Sequence, residues 1–269
     1  MTGGQPAPLS FDAGAHAYDR FMGRWSRLWV PALLDAAGVG PGQRVLDLAS
    51  GTGEAAAQAA DRVTRTGRVI GVDISLPMLR HAAARLAGQP ALLAAMDGTG
   101  LACSDRTFDS VICQLGLMLI PDPERATAEC ARVLHDGGRL SAVIWSSRER
   151  VPHIGILCEI LGRLLPARRE EIERSFSLGE PHRFRGLLER AGFREIQVTR
   201  ERRTLVMESF EDYWEPVVAG GGRLGQLYAG LSDESRRAVR EEVHDRMNPF
   251  WSGDRLIMEA EALLGVGRR

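Results

Sequence analysis

The chain has 269 residues, of which 44% are hydrophobic, enough for one large domain or a domain with a lid built round a sizeable core. Its 34 basic residues, all arginine, face 35 acidic ones for a formal net charge of −1, so no global field favours nucleic acid or an anionic membrane. The four cysteines (Cys103, Cys113, Cys130 and Cys158) lack C-x-x-C spacing and read as free thiols in a reducing cytoplasm. No basic and apolar leader and no run long enough for a membrane span is visible, so a cytoplasmic protein is expected.

Residues 1–10 are rich in Gly and Pro and read as an arm. Phe11, Ala15, Tyr18, Phe21, Trp25, Trp29 and Leu33 then recur at helical steps, with a restart at Pro31, giving an N-terminal helical segment over 11–37. Gly40-Pro41-Gly42 turns into a buried strand, Val45 to Leu48. Ala49-Ser50-Gly51-Thr52-Gly53 is a glycine turn, and the alanine-rich run to Val63 is a helix. A ligand's polar end can approach such a bare loop and meet the helix N-terminus.

A second strand, Arg68 to Asp73, ends in an acid about twenty residues beyond the loop. Nucleotide-binding folds place there a carboxylate that accepts hydrogen bonds from ribose hydroxyls. Ser75 caps the next helix, which runs from Pro77 to Ala87, and Ile74 and Met78 sit where apolar side chains would flank an adenine. Further strands follow at Ala91–Met96, Phe108–Gln114 and Arg139–Trp145, with a helix from the Asp122 cap to Leu134 and a turn at His135–Gly138. Strand–helix alternation implies a parallel sheet with ligands beyond the C-terminal strand ends, where Asp47, Asp73, Asp97, Gln114 and Trp145 converge.

The loop also fits the dinucleotide pattern G-x-G-x-x-G/A as Gly51-Thr52-Gly53-Glu54-Ala55-Ala56. Asp47 argues against a diphosphate, which it would repel, and for an amino-acid ammonium, which it would attract. Leu46-Asp47-Leu48-Ala49-Ser50-Gly51-Thr52-Gly53 resembles the first motif of class I S-adenosylmethionine-dependent methyltransferases. Gly71–Ser75, Met96-Asp97-Gly98, Phe108–Cys113 and Gly137–Leu140 resemble later motifs in the right order. The likeness is to the ubiquinone/menaquinone-biosynthesis-like branch and covers residues 15–145 best. It implies S-adenosylmethionine as cofactor, S-adenosylhomocysteine as product and a doubly wound α/β, Rossmann-like sheet of seven strands, parallel but for one. It also implies that Asp97 takes the adenine amino group and the Gly98 amide a ring nitrogen. Tyr18 would lie near the methionyl end, with Ala49, Ser50, Gly51 and Gly53 shaping the loop and Gln114 and Leu115 beside the methionine or the acceptor.

Within this expectation the cofactor-binding core covers 40–145 and the rest of the core 146–208. His153–Leu165 is apolar all round, 168–174 is a charged and solvated helix face, and Phe193–Arg200 is the sixth strand. Residues 209–252 form an inserted helical cap with a Gly220-Gly221-Gly222 hinge and aromatic lining, before the last strand within 253–269. His153 is the base candidate, and Trp145 and Trp214 are candidate walls for an aromatic or apolar acceptor; Arg24 and Trp25 overhang the cofactor. No metal-ligand spacing appears. The expected reaction is methyl transfer to an oxygen or carbon of a small molecule by a monomer or homodimer. Two other readings are a nicotinamide-dependent oxidoreductase and a cofactor-binding protein without turnover.

Overall fold

In the computed structural model, residues 18–219 and 222–269 are described; the readings made for 1–17, including Phe11 and Ala15, and for Gly220 and Gly221 fall outside them. Strands β1 (Arg44–Leu48), β2 (Arg68–Asp73), β3 (Ala91–Ala95), β4 (Phe108–Gln114), β5 (Leu134–Trp145), β6 (Arg194–Met207), β7 (Trp251–Ser252) and β8 (Arg255–Arg268) form one sheet. Its order is β3-β2-β1-β4-β5-β8-β6, with the two-residue β7 paired to β8 as an eighth strand. The first five are parallel and β8 runs antiparallel to both β5 and β6. The chain winds one way from β1 to β3, then resumes on the other side of β1 with β4. The loops leaving β1 and β4 therefore diverge and open a crevice between them, the switch point at which such sheets bind ligands.

Local chemistry sets the crevice. β1 buries Val45, Leu46, Asp47 and Leu48 because helices cover both faces of the sheet. Helix α2 (Glu54–Val63; α1 is Val30–Ala37) buries Ala55, Ala56, Ala59 and Ala60, small side chains that let it lie close to the strands. Gly53, at φ +83°, is its N-cap, and a Cβ there would sit 2.9 Å from the Ala82 Cβ of α3 (Leu76–Arg85). The Ser75 hydroxyl accepts from the Met78 amide to start α3, and the Asp122 carboxylate accepts from the Arg125 amide to start α4 (Pro123–Val133).

Two expected boundaries move. The turn at His135–Gly138 is absorbed into β5 as an irregularity, with Gly137 at φ +83° and the register to β4 shifting between Phe108 and Ser110. The sixth strand runs to Met207, well past Arg200, because it pairs with β8 along nearly its whole length. As the sheet edge it carries Arg200, Glu201, Arg202 and Arg203, a charged run suited to solvent and to discouraging further strand pairing.

The second half packs over the C-terminal strand ends. Helix α5 (Pro152–Leu164) is buried along most of its length. Helices α6 (Arg169–Glu173) and α7 (Pro181–Arg190) follow it, and α8 (Phe210–Val218), α9 (Gly222–Ala229) and α10 (Asp233–Arg246) make up the 209–252 segment. α9 and α10 lie against α5, and α8 against the N-terminal segment. Among the described residues, no helix is long and apolar enough to cross a membrane and no His, Cys, Asp and Glu group is placed to hold a metal ion.

Candidate functional site

The crevice is an open cleft of about 780 Å³. Tyr18, Ala49, Gly51, Asp73, Ile74, Met78, Asp97, Gly98, Gln114 and Leu115 line it, all of them expected. Ala49 and Leu115, the first residues after β1 and β4, both hold left-handed backbones, at φ +56° and +54°. Gly51 is also left-handed, and a Cβ built on it would meet nothing within 4 Å, so its face toward the cleft is bare. Asp73 Oδ2 accepts from the Gly51 amide at 2.8 Å and its Oδ1 from the Ser75 amide at 2.9 Å. The acid at the end of β2 is thereby tied to the glycine loop. Asp97 Oδ1 accepts from both the amide and the hydroxyl of Thr99 at 2.8 Å, which holds its carboxyl below the usual range and leaves Oδ2 with accepting capacity. Ile74 is 73% exposed on the cleft wall, an apolar side chain that the described residues leave largely uncovered.

Three expected residues lie beneath this lining: Asp47, Ser50 and Gly53. Asp47 is fully buried and neither carboxylate oxygen has a hydrogen-bond partner within ordinary distance. Burial pushes its pKa up to about 8, and the Asp73 carboxylate adds to the shift, against the pull of the Ala56 amide. Its influence on a ligand would therefore come as a field from one layer below, exerted together with Asp73. The cleft floor also includes Leu48, Val72, Met96 and the apolar loop Gly116–Pro121, which periodicity alone does not single out. Gly116 has a packing reason: a Cβ there would fall 2.5 Å from that of Ala49.

The N-terminal segment, residues 18–26, closes the cleft from above. Asp19 binds the Thr52 hydroxyl at 2.9 Å and Arg85 Nη2 at 2.9 Å, fastening the segment to the glycine loop. Arg24 does not overhang the cleft as expected. Its Nη1 donates to Asp212 Oδ1 and its Nη2 to the Asp212 carbonyl, both at 2.8 Å, fastening the same segment to α8. Trp25 is buried between His153 and Tyr213.

Beside the cleft, and sharing Tyr18, Leu115 and Leu119 with it, is a second, half-open chamber of about 500 Å³, open solvent included. Phe21, Met22, Met118, Trp145, Ile154 and Leu224 supply most of its wall. Trp145, one of the two candidate walls, is part of this lining. Trp214, the other candidate, is on neither lining: it is buried, stacked on Phe210 at 5.7 Å and edge-on to Tyr228, while Tyr213 of the same segment stacks on Trp25. His153 is on neither lining. Its ring is wholly buried between Trp25 at 4.5 Å and Trp145 at 5.1 Å, both ring nitrogens lack partners, and burial pushes its pKa down to about 3. With its ring on neither lining, His153 is not placed within reach of a molecule in either cavity.

A parallel sheet with a glycine loop after β1 and an anchored acid after β2 defines a Rossmann-like domain for a nucleoside cofactor. Residues 46–142 match the family model described as a methyltransferase domain. A demethylmenaquinone methyltransferase of Renibacterium salmoninarum is 37% identical over 163 residues, 58% of this chain and 66% of that protein. A ubiquinone/menaquinone biosynthesis C-methyltransferase of Hydrogenovibrio crunogenus is 36% identical over 145 residues, 51% of this chain and 57% of that protein. The crystal structure of a methyltransferase from Bacillus halodurans C-125, itself assigned only provisionally, superposes with a TM-score of 0.61 over 89% of this chain and 97% of that one, at 21% identity, a likeness of fold. Residues 46–142 thus match a methyltransferase domain of the class I S-adenosylmethionine-dependent kind, and over about half its length the chain is similar to the ubiquinone/menaquinone and demethylmenaquinone methyltransferases. The matched stretch spans less than two thirds of the length of those two curated relatives.

Proposed function

We propose that this chain methylates an oxygen or carbon of a small apolar or aromatic molecule held in the second chamber. The observation that carries the reading is the shared boundary of the two cavities: Tyr18, Leu115 and Leu119 face both. When bound, S-adenosylmethionine supplies a methyl group activated by its sulfonium charge.

The residues present suit that cofactor. Asp73, held by two amides, would take the ribose hydroxyls, and Asp97 with the Gly98 amide the adenine edge, with Ile74 and Met78 on its faces. The bare Gly51 leaves room for the loop to be approached closely. Gln114, whose Nε2 donates to the Ser26 carbonyl at 2.9 Å while its buried Oε1 lacks a partner, would serve the methionyl end together with Tyr18. Asp73 makes the floor negative, and the unpartnered Asp47 adds to it when an ammonium draws off its proton, so the floor favours an ammonium over a diphosphate, which speaks against a nicotinamide dinucleotide.

Beyond binding, the protein's contribution is to position two reactants across one boundary and to exclude water. Orientation of this kind is worth about 7–11 kcal/mol in well-aligned intramolecular reactions. The test is transfer of label from methyl-labelled S-adenosylmethionine into fractions of a small-molecule extract. Label in an aromatic or apolar metabolite supports the proposal. Tight S-adenosylhomocysteine binding with no label moved in any fraction would leave a binding protein without turnover.

A further inference from the structure

Among its described lining residues, the second chamber is apolar except for Tyr18, Ser175 and Arg223. Arg223 comes from the first turn of α9, and its side chain is only 14% exposed. Its Nη2 donates to the Glu171 carbonyl at 3.1 Å and lies 3.3 Å from Glu171 Oε1. Nε and Nη1, which carry the other three N–H donors of the guanidinium, make no hydrogen bond among the described residues.

The counter-charge is also divided. Glu171 pairs at the same time with Arg168 at 2.8 Å, so one carboxylate serves two guanidinium groups. Arg174 is near enough for its charge to oppose that of Arg223, and among the described residues it forms no ion pair of its own. Burial, the largest influence, also holds the Arg223 pKa below its usual value. A partly desolvated cation that shares its counter-ion and keeps solvent-reached donors beside an apolar wall gains from pairing with an anion there. A planar fork is also the group best shaped to bind an oxyanion.

We propose that Arg223 selects the methyl acceptor by pairing with an anionic oxygen on it, a carboxylate or an ionised hydroxyl on an aromatic or apolar skeleton. The assignment rests on the methyltransferase reading above and narrows its substrate class. It also accounts for a chamber wall that has no Asp, Glu or His among its described lining residues. An acidic hydroxyl held against Arg223 gives its proton to bulk water on binding, and no side-chain base is needed.

The test is a titration at pH 8 of the full chain saturated with S-adenosylhomocysteine, read by quenching of tryptophan fluorescence. The anionic probes are 2-naphthoate and 4-nitro-1-naphtholate, and their neutral counterparts are 2-naphthamide and 1-nitronaphthalene. At least one anion binds about tenfold or more tightly than its counterpart, the scale expected for hydrogen bonds to a charged group; which one does so separates carboxylate from ionised hydroxyl. Arg223→Met abolishes the preference and Arg223→Lys keeps part of it, both with S-adenosylhomocysteine affinity unchanged. Should Arg223→Met lose that affinity through misfolding, Arg223→Gln takes its place. Equal binding of charged and neutral probes, no binding of any probe, or a preference that survives Arg223→Met overturns the proposal. Failure of S-adenosylhomocysteine itself to bind the wild type is a different result and overturns the cofactor reading instead.

Discussion

Replacing Asp47 by Asn should make the ligand-free protein more stable and the cofactor complex weaker. The side chain is fully buried without a hydrogen-bond partner, and its pKa rises from 3.8 to about 8. The sign follows from linkage. A carboxyl whose folded pKa is raised contributes its full share below the unfolded pKa and loses it as pH climbs toward the folded one, here from about pH 4 to about pH 8. At about 1.4 kcal/mol per pH unit, that window sets a ceiling of roughly 6 kcal/mol. An effective dielectric nearer 20 than 4 reduces it, and we expect about 2 kcal/mol at pH 8. For a domain of this size that is a Tm rise of roughly 4–8 °C. The amide is nearly isosteric with the protonated acid, so at pH 5, about one unit into the window, the advantage should fall to roughly a quarter of its pH 8 value. Thermal unfolding at pH 5, 6.5 and 8, with and without S-adenosylhomocysteine, reads both effects: Asp47→Asn raises the ligand-free Tm increasingly with pH and shrinks the ligand-induced shift. A variant that is less stable than the wild type at pH 8, or whose advantage is the same at every pH, would refute the reasoning.

Asp73→Ala should weaken S-adenosylhomocysteine binding by roughly tenfold or more, given about 1.5–3 kcal/mol for hydrogen bonds to a charged group; unchanged affinity by calorimetry would remove the ribose role. His153→Leu should cost stability through lost contact with Trp25 and Trp145, yet leave the pH profile of kcat intact. A fall of about 10²–10⁴-fold with loss of the acidic limb would instead mark a base. Arg24→Met, which removes the two 2.8 Å bonds to Asp212, should raise the acceptor KM severalfold and leave S-adenosylhomocysteine affinity within about twofold, because the contact joins the N-terminal segment to α8 and not to the glycine loop.

What can be read from the chain alone follows from how local each feature is. β1, β2 and β4 are short runs buried from both sides and bounded by turns, so their ends are plain in the sequence. The caps at Ser75 and Asp122 are decided within three residues. The expectation for β6 stops short because an edge strand has no second buried face to reveal it, and its arginine run reads as loop until β8 is seen beside it. The fastenings of the site are hidden for another reason. Asp19 reaches Thr52 and Arg85, 33 and 66 positions away, and Arg223 meets Glu171 at a separation of 52. No periodicity carries such information. The 168–174 run has the composition of a solvated face, yet Arg168 and Glu171 are half-buried and organise the chamber wall. His153 misleads because distance along the chain from β5 says nothing about which way a helix turns its residues.

The central claim is that the outer cleft is built for an adenosyl group ending in an amino acid. Calorimetric titration of the full chain with S-adenosylhomocysteine, and separately with NAD and NADH, tests it directly. Saturable one-to-one binding of S-adenosylhomocysteine, lost in Asp73→Ala, with no heat from either dinucleotide, is the result expected. Binding of NADH at that cleft, competing with or replacing S-adenosylhomocysteine, would contradict it.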